Sequence, residues 1–276
     1  MIRHSHEVLT GPAAPPPDLT LRYGEHPDQL ADIRLPQVTG VSPAPLVMFI
    51  HGGFWRAAYD RAHVGPLAVD LARRGYAVAT VEYRRVGQPG GGWPGTFSDV
   101  AAAVAAIPDL LADSLRFRGL PPVDVDRPVL AGHSAGGQLA LWYAAVAPDA
   151  TRGVLALAAV CDLGEAYRLR LGGGAVIELL GGGPEDRAER YAAADPAARL
   201  PLKVPSILVH GTDDDQVPIG LSRTYVQAAR RAGDDSTLVE LADVEHFAVI
   251  DPLSSAWPAV LDALRVLTGA GVNLEN

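Results

Sequence analysis

Nearly unbroken apolar runs recur along this chain at residues 46–50, 76–83, 128–132, 153–160 and 206–210, with helical segments between them. A strand without polar alternation is covered on both faces, and covering both faces of one sheet takes helices on each side. Strands that alternate with helices pair in parallel, because each return crosses over through a helix. Helices are expected near 60–74 (ending at Gly75), near 97–107, directly after residue 134, near 219–232 and near 254–267, with a further strand at 237–242. Two earlier segments, Thr20-Leu21-Arg22-Tyr23 and Ala31-Asp32-Ile33-Arg34-Leu35, alternate as half-buried strands around a turn at 24–28. They are expected to form an antiparallel edge. The fold class is α/β: a mostly parallel central sheet of about eight strands with helices on both faces.

Residues 162–204 break this rhythm. They hold Gly172-Gly173-Gly174, Gly181-Gly182-Gly183-Pro184 and a polar run at 185–190. They read as an insertion after the sixth strand, with short helices near 164–170, 175–180 and 185–192. It is either a small cap over a site or a long surface connection. Residues 1–18 are expected to be a flexible segment ahead of a single domain spanning 19–276. No internal repeat or domain linker is evident, and 276 residues suit one large α/β domain.

A formal charge of −9 argues against nucleic acid and anionic membrane surfaces, which need a cationic cluster. The single cysteine, Cys161, excludes an intrachain disulfide and ends an apolar run, where it packs as a small hydrophobe. No stretch approaches the roughly 18 apolar residues of a membrane span. The stretch from Met1 to Pro17 has no apolar core of a secretory signal, so a cytoplasmic location is the default expectation. His4 and His6 read as part of a mobile tail, and no metal or cofactor is expected.

Four motifs carry chemistry. Gly132-His133-Ser134-Ala135-Gly136 is a G-x-S-x-G turn between the strand at 128–132 and a helix, which lifts a serine into the open as a nucleophile elbow. The strand at 46–50 runs into His51-Gly52-Gly53-Phe54-Trp55, a loop suited to donating backbone N–H groups to an oxyanion. His210-Gly211-Thr212-Asp213-Asp214-Asp215-Gln216-Val217-Pro218 follows another strand, and Val244-Glu245-His246-Phe247 follows the last one. A serine hydroxyl needs a base, and His246 is the candidate; His51, His133 and His210 occupy motif positions with structural roles. A carboxylate must fix the imidazole tautomer, and Asp213, Asp214 and Asp215 compete for that place, with H-G-x-x-D-x-x-V-P favouring Asp214 and Asp243 a distant alternative. The N–H groups of Gly53, Phe54 and Ala135 are the oxyanion candidates. Trp55 and Trp93 are candidates for gripping an apolar substrate, or else packing residues. An Arg84–Asp99 ion pair is expected to pin the Gly/Pro-rich loop between them.

Together these stretches resemble the α/β-hydrolase superfamily, whose chain order is serine, acid, histidine. They look most like the branch of kynurenine formamidase (arylformamidase) and related small esterases; Tyr23-Gly24, 31–35 and Tyr83-Arg84-Arg85 are similar to that branch as well. The resemblance implies Ser134, Asp214 and His246 as a triad, Gly53, Phe54 and Ala135 as oxyanion donors, and a small ester or aryl formamide as substrate, cleaved through an acyl-enzyme without a cofactor. The alternatives are a general short-chain carboxylesterase and, more remotely, a catalytically silent binding protein on the same fold.

Overall fold

The computed structural model describes residues 9, 13–37 and 43–269. Among them, eight strands form one sheet: β1 (Leu19–Arg22), β2 (Leu30–Arg34), β3 (Ala44–Ile50), β4 (Ala77–Val81), β5 (Val123–His133), β6 (Gly153–Leu157), β7 (Ser206–Gly211) and β8 (Ser236–Leu241). The spatial order is β1-β2-β4-β3-β5-β6-β7-β8. The pairs β1–β2 and β2–β4 are antiparallel and all others are parallel, which is the edge the alternating early segments require. The helices are α1 (Gly65–Arg73), α2 (Gly95–Arg118), α3 (Ala135–Val146), α4 (Leu163–Arg168), α5 (Ala175–Leu180), α6 (Pro184–Ala194), α7 (Gly220–Arg231) and α8 (Trp257–Thr268).

Period-two alternation divides the central strands between two cores. Leu46, Met48 and Ile50 of β3 pack with Val100 and Ile107 of α2, Leu139 of α3 and Tyr225 of α7. Val47 and Phe49 face the other way, against Leu67 and Leu71 of α1 and Val260 and Leu264 of α8. Each fully buried Leu, Ile or Phe contributes roughly 1.5–3 kcal/mol, so this double burial is what holds the sheet between its helices. Cys161 is buried in the first core, and burial pushes its thiol pKa up.

Two expectations are corrected. The helix expected to stop near residue 107 runs on to Arg118, through Pro108. Proline in a helix interior costs roughly 3 kcal/mol, but Ile107, Leu111 and Leu115 bury a continuous stripe around it and offset that cost. The amino-terminal segment is not free throughout: Arg34 donates to the Pro15 and Pro16 carbonyls at 2.5 and 3.2 Å, and Asp18 accepts from the Leu35 N–H. Residues 13–18 therefore lie tied to β2, while 1–8 and 10–12 fall outside the described residues.

The stretch from 162 to 204 does follow β6 and holds α4, α5 and α6. It is tied to the loop after β3. Arg56 makes a two-pronged ion pair with Glu178 and also donates to the Gly172 carbonyl, while Trp93 N–H donates to Leu179 O.

Candidate active site

The carboxyl ends of β3, β5 and β7, and the loop after β8, bring the four motifs together, as open parallel sheets do. β5 ends at His133, α3 begins at Ala135, and Ser134 stands between them with φ 54° and ψ −117°. An L-residue held there costs about 1–3 kcal/mol. The turn is pinned on both sides. Ser134 N–H donates to Leu157 O at 2.8 Å, and its carbonyl accepts from Gln138 and Val160. Gly136 is obligatory, because a Cβ at that position would lie 2.0 Å from the Ile50 carbonyl oxygen.

Ser134 and His246, both nearly fully buried as whole residues, line the same small cavity of about 70 Å³. One water needs roughly 10–15 Å³ of such space, so the cavity takes several waters or a substituent of similar size. His246 Nδ1 lies 2.6 Å from Asp214 Oδ2. The other oxygen of Asp214 accepts from the Gln216 and Val217 N–H groups at 2.9 and 2.7 Å. His210 Nε2 adds a third approach, 3.1 Å from Oδ2, while its Nδ1 meets the Ser222 hydroxyl. Burial alone opposes ionisation of Asp214. The hydrogen bonds from His210 and His246, the charge of His246 and the Val217 N–H overcome it and hold the carboxyl well below the usual carboxylate range. Asp213 and Asp215 are exposed and their carboxylates accept from the neighbouring Thr212 and Gln216 side chains, so Asp214 is the carboxylate brought to His246.

His133 braces the other side of His246. Its Nε2 donates to the His246 carbonyl at 3.0 Å, and the two rings lie 4.5 Å apart. Burial, then the nearby His246, depress the His133 pKa far below 6.5, so this ring stays neutral. His51 is likewise buried: its Nδ1 meets the Gly52 carbonyl at 2.8 Å and its Nε2 meets Glu82 at 2.9 Å. Both ring nitrogens are thereby occupied, which fixes the start of the loop.

Gly53, Phe54 and Trp55 follow with φ of 109°, 50° and 58°. This run turns Phe54 toward the cavity and Trp55 into the core. Gly53 and Phe54 line the cavity, and Ala135 opens α3 beside it. Among the described residues, nothing accepts the N–H groups of Gly53, Phe54 or Ala135. The two tryptophans are a correction. Trp55 is 1% exposed and donates its indole N–H to Gln138 Oε1 at 3.0 Å. Trp93 packs edge-on against Phe97. Neither lines the cavity; Phe54, Phe247 and the ring of Tyr59 do. Burying an indole N–H requires an acceptor, and Gln138 supplies it while donating to Ala194 O in the insertion. A glutamine in the otherwise apolar start of α3 was the available signal. The Arg84–Asp99 pair is present, with bonds of 2.7 and 2.8 Å and the Arg84 N–H at 2.9 Å.

Among the described residues, no three His, Cys, Asp or Glu side chains are grouped so as to hold a metal ion, and no helix is long and apolar enough to cross a membrane.

Comparison with known proteins places this geometry. A probable isoprenylcysteine alpha-carbonyl methylesterase of Oryza sativa subsp. japonica is 27% identical over 84% of the chain, and the chain spans 58% of that protein's length. A kynurenine formamidase of Salmo salar is 30% identical over only 44% of the chain and 36% of its own length. The esterase Est2 of Thermogutta terrifontis superposes with a TM-score of 0.69, covering 91% of this chain and 94% of the other at 22% identity. The BD-FAE family model matches residues 31–228, which takes in the loop after β3, Ser134 and Asp214 and stops short of His246. The chain therefore belongs to the BD-FAE family and has the α/β-hydrolase fold.

Proposed function

We propose that this protein is a serine carboxylesterase for short-chain esters. The observation that carries the reading is the buried Asp214–His246 pair, whose imidazole shares one cavity wall with Ser134. In this reading His246 takes the Ser134 hydroxyl proton as Oγ attacks the ester carbonyl, and Asp214 steadies the imidazolium that forms. The Gly53, Phe54 and Ala135 N–H groups receive the negative oxygen, each worth about 3 kcal/mol in the transition state. His246 then protonates the departing alcohol, and water repeats the sequence on the acyl-enzyme to release the acid. The small cavity supports a short acyl group. Ester cleavage is preferred to formamide cleavage because the rice methylesterase matches most of the chain and the formamidase less than half.

The test is a side-by-side assay of p-nitrophenyl acetate, p-nitrophenyl butyrate and N-formylkynurenine, with intact-mass detection of a fluorophosphonate adduct. The expected outcome is turnover of the nitrophenyl esters, no turnover of the formamide, and an adduct that disappears in Ser134→Ala. Preferred cleavage of N-formylkynurenine would restore the formamidase reading. A folded protein with no adduct and no turnover would leave a binding protein.

A further inference from the structure

The proposed reaction leaves one cavity histidine without a task. His63 lies in the single helical turn Arg61–Val64, downstream of the loop after β3. Its Nδ1 stands 2.6 Å from the Asp60 carbonyl. A carbonyl only accepts, so Nδ1 carries the ring hydrogen. Asp60 is itself fixed, since its side chain caps the turn by accepting from the Ala62 N–H at 2.8 Å. Burial, then the neighbouring His51, push the His63 pKa down to about 4, so at neutral pH the ring holds no second proton. Nε2 is therefore a bare acceptor, and it is the one polar atom this ring has left to present to the cavity. Among the described residues no donor reaches it. His133 also gives its one N–H to a carbonyl, that of His246, and its Nδ1 is buried without a partner, but that nitrogen packs against Gly52. The wall around the His63 ring is mixed: Leu9, Phe54, Phe247 and Tyr59 supply apolar surface, and Gln216 and Ser134 supply polar groups. His63 is part-exposed, so water meets its Nε2 in the free protein, and a donor on a bound ligand takes that water's place.

We infer that His63 is a specificity-determining residue: its Nε2 accepts a hydrogen bond from an O–H or N–H on the substrate, so esters carrying such a donor near the ester group are preferred. The inference rests on the esterase reading above and narrows its substrate class.

Two pairs of esters test it, each exchanging a methyl for a hydroxyl at equal size. Propyl acetate against 2-hydroxyethyl acetate places the donor on the alcohol. Ethyl butanoate against ethyl 3-hydroxypropanoate places it on the acyl group. The wild type should prefer the hydroxylated member of one pair by about tenfold in kcat/KM, mainly through KM. That pair identifies the side on which the donor sits. His63→Phe should bring the ratio to about one, and His63→Gln, which keeps an acceptor, should restore part of it. A purely structural role would lower all four rates together and leave the ratios intact. Wild-type ratios near one in both pairs, or a ratio that survives His63→Phe, would overturn the inference. If folded wild type cleaves none of the four, the esterase reading fails first and this one with it.

Discussion

Two of the buried histidine–carboxylate pairs among the described residues look alike and differ in how the second ring nitrogen is used. His51 meets Glu82 at 2.9 Å below the loop after β3, and His246 meets Asp214 at 2.6 Å beside the cavity. In each, the carboxylate also takes backbone N–H groups: Glu82 from Arg61 and Tyr83, Asp214 from Gln216 and Val217. The difference is in the second ring nitrogen. His51 spends it on the Gly52 carbonyl, so the ring has no free edge. His246 reaches Asp214 through Nδ1 and lines the cavity, so Nε2 remains for a reacting proton. In the proposed reaction it is this uncommitted nitrogen, rather than burial or a carboxylate partner, that lets His246 act as the base.

Four experiments press on that contrast. The largest effect is expected from Asp214→Asn. The two backbone N–H groups would hold the amide oxygen, turning the NH₂ toward His246 and forcing Nδ1 to accept. The proton then sits on the wrong nitrogen, and kcat per folded molecule should fall by about 10⁴ in a steady-state assay. Loss of less than tenfold would remove Asp214 from the reaction.

Glu82→Gln should instead act on stability. It removes one partner of a buried pair and should cost about 3–5 kcal/mol in urea unfolding, with kcat per folded molecule changed less than tenfold. A kinetic loss as large as that of Asp214→Asn would erase the distinction between the two pairs.

The third is a pH series. Burial opposes ionisation of Glu82, but His51, Arg85 and the Arg61 N–H hold its pKa at about 2 against 4.5 unfolded. A depressed carboxyl contributes stability that is complete above the unfolded value and disappears as pH falls through the folded one. The stability gap between wild type and Glu82→Gln should therefore narrow from pH 4.5 toward pH 2. A gap that stays constant in that window would show that the stabilisation does not come from ionised Glu82.

The smallest effect is expected at Arg84→Met. Asp99 is 1% exposed and would keep only Gln29 and the Arg84 backbone N–H as donors. Leaving it partly unpaired should cost about 1–3 kcal/mol in thermal or urea unfolding, with kcat unmoved.

Much of this arrangement was legible in the amino acids. Apolar runs separated by helical segments dictate the sheet, and Gly132 to Gly136 mark the turn that Ser134 occupies. Asp214 could be favoured over its neighbours from the spacing to Val217 and Pro218 alone. What stayed hidden depended on distant partners. Phe54 and Trp55 are adjacent aromatics, and the one that turns inward is decided by backbone angles and by Gln138, 83 residues away. Tyr59 and His63 belong to no motif: Tyr59 reaches the cavity from the loop after β3, and His63 from the single helical turn that follows it. The extension of α2 past Pro108 was hidden for a related reason: local propensity argues for a break there, and the buried stripe that overrides it is a tertiary contact.

The conformation at Ser134 has an evolutionary consequence. A glycine would relax the turn at once, since it alone tolerates that pair of dihedrals without penalty, but it has no oxygen to react. Heat resistance and turnover thus pull in opposite directions on a single codon. In the proposed reaction the hydroxyl is the nucleophile, so lineages selected for robustness alone should drift to glycine there, whereas those selected for turnover keep serine.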